Sequence, residues 1–153
     1  MHKKQHGITL LELMIVLVLV GLLVSIAYPI YSGFVDRART AKVIGDMGQI
    51  QIALAKFLTD TNGALPLSLA AVGLDTLTDP WGNPYQYLKI ENEAGGVGSA
   101  RKNLGMVPVN TDYDLFSMGK DGGFDLPLSS VASLDDIVRA GNGGYLGLAE
   151  DFE

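Results

Sequence analysis

The sequence predicts an α+β protein in which one long N-terminal helix leads into a head of short strands and turns. Three observations carry that reading. From Leu13 to Val35 the chain runs for 23 residues without a charged side chain, longer than soluble helices usually go without a polar face. Val43, Met47, Ile50, Leu54 and Phe57 then recur at spacings of four, three, four and three, the stripe of an amphipathic helix. Past Thr59, Pro and Gly break the chain into short apolar runs, as turns separate strands.

Composition narrows the function before any motif is read. The 153 residues carry 11 Lys+Arg against 17 Asp+Glu, a net charge of −6. That balance leaves no basic excess for neutralising phosphates, so nucleic acid is excluded as a primary ligand. There is no cysteine, which removes disulfides, thiolate metal sites and Cys nucleophiles together. The two histidines are His2 and His6, so the body of the chain holds no His-based triad or zinc site. Asp112, Asp114, Asp121, Asp125, Asp135 and Asp136 offer carboxylates, but glycoside hydrolysis needs two of them in unequal environments across a cleft. Nothing in their spacing supplies that, and no enzymatic activity is expected.

The first element is a membrane helix. Residues 1–7 are polar and basic through Lys3 and Lys4, and 21 of the 28 residues from 8 to 35 are hydrophobic. About 20 apolar residues cross the hydrocarbon core of a bilayer. The basic flank keeps the N-terminus cytoplasmic and sends the rest outward. A buried core helix and a secretory signal cleaved after Ala27, at Ser25-Ile26-Ala27, are the two plainer readings. The length of the run without a polar face stands against the first; Glu12, a carboxylate at the mouth of the apolar run, and a stretch that stays apolar past Ala27 stand against the second. On insertion scales an acidic residue at the centre of a membrane helix costs roughly 2.5–3.5 kcal/mol, and such residues mark function.

Gly7-Ile8-Thr9-Leu10-Leu11-Glu12 resembles the processing site of type IV pilins and type II secretion pseudopilins: a basic leader ending in Gly, an aromatic or apolar residue, then Thr, Leu, any residue and Glu. The resemblance implies cleavage after Gly7 by prepilin peptidase and N-methylation of the new terminus at Ile8. It also implies that Glu12 pairs with the N-terminal amine of a neighbouring subunit during assembly, using a buried ion pair as a register device. Ile8 stands where the family more often has Phe.

The stem continues through the amphipathic stretch 36–63. Pro29 is expected to kink or loosen the helix, either as a hinge used on assembly, as the resemblance suggests, or as a tolerated membrane-helix proline. Asp36, Arg37, Arg39, Lys42, Asp46, Gln49 and Lys56 supply the polar face. Asn62-Gly63 and Pro66 end the helix.

Residues 64–153 form the head. Asp79-Pro80-Trp81-Gly82-Asn83-Pro84 is a turn leading into a strand at Tyr85–Leu88, and Asp114–Gly119 reads as a second strand running into a turn. Gly95-Gly96-Val97-Gly98 is a loop, since it lacks the strand-to-helix setting of a nucleotide cradle. The blocks Asp79–Leu88 and Asp112–Gly122 are similar to the signature of the type II secretion major pseudopilin. That resemblance implies a small antiparallel sheet packed on the stem helix, followed by a calcium loop where generic pilins carry a disulfide. It places Ca²⁺ on Asp121, Asp136 and the Met118 carbonyl, with Asp135 or Ser133 as a further ligand. The insertion Gly123–Ser133 departs from the family pattern. Nine acidic and two basic residues from Asp112 to Glu153 suit an oxygen-ligated cation, and they equally suit a solvated acidic face.

Function is therefore expected to be structural. The resemblance implies a subunit that waits in the bacterial inner membrane, head in the periplasm, and polymerises with copies of itself into a pseudopilus that supports export of folded proteins. Its implied partners are minor pseudopilins, the inner-membrane assembly platform and its ATPase, prepilin peptidase and membrane lipid. A type IV pilus subunit for adhesion, motility or DNA uptake is the alternative, and a membrane-anchored monomeric binding module is a third reading from a different class.

Overall fold

The computed structural model describes residues 8–90 and 97–152. The chain divides into two compact units, Met1–Ala38 and Arg39–Glu153. Both predicted helical stretches fall in one element, α1, Leu10–Asp60. Pro29 lies inside α1, so the expected loosening does not interrupt the helix. One proline removes one backbone bond, and the apolar, helix-competent residues around it carry the path through. The C-terminus of α1 closes as its sequence requires. Asn62 and Gly63 take left-handed φ values of 56° and 91°, and the Gly63 amide donates to the Leu58 carbonyl at 2.8 Å, the six-to-one bond of a Schellman end.

The head is a four-stranded antiparallel meander: β1 (Gln86–Lys89), β2 (Tyr113–Ser117), β3 (Ile137–Ala140) and β4 (Tyr145–Leu148), paired in that order. Register is set by pairs such as Tyr87 with Leu115, Phe116 with Val138, and Val138 with Gly147. The two central strands are buried at every position, whereas the edge strands are half-buried. Burial on both sides follows from what covers each face. Tyr113, Leu115 and Ile137 cluster with Val43, Met47, Ile50 and Leu54 of α1. Their neighbours along the strands, Phe116 and Val138, turn the other way and cluster with Val109, Leu128 and Ala149 from the loops. The alternation is the pleat of a strand read twice.

The four helix residues of that core are fully buried. Burying side chains of their size stabilises a fold by roughly 1.5–3 kcal/mol each. Phe57, the fifth member of the predicted stripe, is only partly buried. On the polar side of the same contact, the Tyr85 hydroxyl donates to Asp46 Oδ2 at 2.9 Å, and Lys42 pairs with that oxygen at 2.6 Å. The phenol is driven upward in pKa by its burial and by the Asp46 carboxylate beside it. Arg139 locks the sheet from within: its guanidinium grips the Asp112 carboxylate at 2.7 and 2.8 Å and lies 4.0 Å from the centre of the Tyr113 ring.

Candidate functional site

Two regions carry the residues singled out by the sequence, the start of the stem and the loop before β3. Gly7 lies outside the described residues. Ile8 is exposed, and α1 begins two residues later. Thr9 and Glu12 hold that beginning between them. The Glu12 amide donates to Thr9 Oγ1 at 3.2 Å, and the Thr9 amide donates to Glu12 Oε2 at 3.4 Å. This is a capping box, in which the two side chains satisfy amides that no preceding turn can reach. The sequence signal was the Thr-x-x-Glu spacing inside the same motif that suggests processing.

Above the cap, the stem is apolar and uncovered. Leu10, Leu11, Leu13, Met14, Leu17, Val18, Leu22 and Leu23 are among the side chains left about half exposed or more. The helix is long and apolar enough to cross a membrane, and none of its most hydropathic window is buried. A surface of that extent is stable only against lipid or against other apolar helices.

In the head, Asp79 organises the turn that precedes β1. Its Oδ1 accepts from the amides of Trp81 and Asn83 at 3.0 and 2.9 Å. Its Oδ2 accepts from the buried Ser117 hydroxyl at 2.6 Å. Asn83 in turn donates to the Gly119 carbonyl at 3.0 Å. The turn and the end of β2 are thereby tied to each other.

The five residues expected to ligate calcium occupy the loop between β2 and β3, and the structure commits Asp136 to a partner outside it. Asp135 Oδ2 accepts from the amides of Lys120 and Asp121 at 2.7 and 3.0 Å. Asp121 Oδ1 accepts from the Gly123 amide at 2.7 Å. The Met118 carbonyl accepts from the Gly122 amide at 3.2 Å. The Ser133 hydroxyl is buried and bonded to both the amide and the carbonyl of Asp125. Asp136 faces the other way, fully buried, with Oδ2 2.6 Å from Nη2 of Arg101. Among the described residues no three His, Cys, Asp or Glu side chains come together as a metal site. This donor set does not fit calcium: its most buried carboxylate, Asp136, is paired with a guanidinium, and among the described residues no third carboxylate joins Asp121 and Asp135. Gly119 is required here, at φ 62°, because a Cβ would collide with the Asp135 carbonyl and approach its Oδ2 to 2.6 Å.

Arg101 went unseen in the sequence, where nothing local marks it, and Asp114 was read only as one of six carboxylates and the start of a strand. Burial pushes the Asp136 carboxyl up to about 6, against the pull of Arg101. Burial also raises Asp114, although the Arg101 amide and Asn110 donate to it at 2.6 and 2.9 Å.

An apolar stem with a capping carboxylate at its mouth, followed by a small antiparallel head, defines the pilin-like α+β class. Residues 2–28 match the family described as the prokaryotic N-terminal methylation motif. The chain is 30% identical over 143 residues to type II secretion system core protein G of Aeromonas hydrophila, covering 78% of this chain and 86% of that one. It is 31% identical to the core protein G of Escherichia coli strain K12, over 90% of this chain and 92% of that relative. A fimbrial protein of Neisseria meningitidis is 26% identical over 92% of this chain and 85% of its own. No solved structure matches the chain significantly. The chain belongs to the type II secretion system core protein G family.

Proposed function

We propose that the chain is the repeating subunit of a type II secretion pseudopilus. The observation that carries this is the exposed apolar stem of α1 with Glu12 at its mouth. In this reading prepilin peptidase removes residues 1–7 and Ile8 becomes the methylated N-terminus. The stem holds the protein in the inner membrane with its head in the periplasm until assembly. Stems then leave lipid for one another, and the carboxylate of Glu12 meets the terminal amine of a neighbouring subunit. Apolar contact supplies adhesion and the ion pair supplies register. Pro29 is a hinge in this scheme, since its position in α1 already lacks one backbone bond. Minor pseudopilins, an assembly platform and its ATPase would complete the machine. The role is structural, and no catalysis is assigned.

The similarity to a fimbrial protein over most of the chain favours a second reading, a type IV pilus subunit. Deleting the gene separates the two. Loss of folded exoproteins from the medium with surface pili intact supports the pseudopilus, whereas loss of surface pili with normal secretion supports the pilus. Mass spectrometry of the purified protein should find a chain starting at methylated Ile8. A start at Tyr28 would point to a secretory signal and overturn both readings.

A further inference from the structure

We propose that a buried Arg101–Asp136 clasp, and not a bound calcium ion, fixes the C-terminal loop of this protein. Arg101 makes three attachments. Its amide donates to Asp114 Oδ2 on β2 at 2.6 Å, and its Nη2 donates to Asp136 Oδ2 at 2.6 Å. The guanidinium carbon lies 4.4 Å from the Phe116 ring centre and 5.6 Å from that of Phe124. One side chain thus joins the segment before β2, the strand itself, the loop after it and the entry to β3.

Asp136 is equally fixed. Its amide donates to the Ser133 carbonyl at 3.1 Å and its carbonyl accepts from Ala149 at 2.8 Å. Asp136 Oδ1 is buried without a partner among the described residues, yet a cation reaching it would stand beside a guanidinium of like charge. Freeing the carboxylate for a metal would leave Arg101 charged, buried and unpaired, a state that is strongly disfavoured. Of the remaining oxygens, one each of Asp121 and Asp135, the Met118 carbonyl and the Ser133 hydroxyl accept from the loop's own amides, and among the described residues no third carboxylate stands with Asp121 and Asp135. A long-range ion pair stacked on aromatic rings performs the closure that the family resemblance assigns to an ion.

Thermal unfolding of the full chain in detergent, followed through the fluorescence of its single tryptophan, Trp81, tests this directly. The clasp predicts the same midpoint in calcium and in chelator. It also predicts that Arg101→Met lowers the midpoint by roughly 10 °C or more, through the carboxylate left unpaired. The double variant Arg101→Met, Asp136→Leu should recover much of that loss, because an apolar pair leaves no buried charge behind. A midpoint that rises with calcium, and stops rising in Asp136→Asn, would overturn the proposal. So would a double variant whose losses simply add.

Discussion

Thr9 and Glu12 cap the stem helix reciprocally, each side chain accepting from the other's backbone amide. Glu12 therefore has a partner within its own chain before any neighbour arrives. Thr9→Ala removes the hydroxyl that receives the Glu12 amide and should cost about 1 kcal/mol of helix start. Amide hydrogen exchange of the full chain in micelles is the check. Exchange should quicken over the first turn, Leu10 to Leu13, and stay unchanged beyond Val43.

The contact between α1 and the sheet should be the most sensitive part of the head. Ile50→Ala empties a fully buried position and is expected to cost about 2–5 kcal/mol. Ile52→Ala, on the same helix but 72% exposed, should stay within about 0.5 kcal/mol. Denaturant unfolding of the two variants gives the comparison, and equal losses would contradict the packing described.

Asp79 predicts a third outcome. Asp79→Ala strands the Trp81 and Asn83 amides and the Ser117 hydroxyl at once. At about 1–3 kcal/mol for each buried donor left unpaired, the loss should be about 3 kcal/mol or more. The Trp81 emission should shift with it, because the same carboxylate positions that residue.

Stability should also respond to pH through Asp112. Burial opposes its ionisation, but the hydrogen bonds from Arg139 and the Tyr113 amide prevail and hold it low. Its contribution is present above the ordinary carboxylate range and is lost as pH falls through that lowered value. Melting temperatures of the wild type should fall as pH is taken below that range, and in Asp112→Asn this acid loss should shrink.

How far the sequence could be read follows from the range of each interaction. The stripe from Val43 to Leu54 was legible because helical period is local, and Asn62-Gly63 because chain reversal needs left-handed residues. Thr9 and Glu12 were legible as a motif, though their capping role lay hidden beneath the processing signature. Tyr145–Leu148 escaped notice as a strand: it is short, carries Gly147, and gains its order only from pairing with β3. Arg101 and Asp136 lie 35 residues apart, and no periodicity links them. Net charge near the C-terminus gave the number of acidic groups but not their direction; the family resemblance named Asp136 as a ligand, and its carboxylate lies buried against Arg101.

In the proposed filament Glu12 acts through its charge and not through its cap. Glu12→Gln separates the two, because a glutamine at this position still completes a capping box but cannot pair with a terminal amine as an ion. Electron microscopy of filaments, with immunoblotting of the membrane fraction, measures the outcome. Glu12→Gln subunits should reach the membrane, be processed at Ile8 and form no filament. Filaments at wild-type length and number would contradict it.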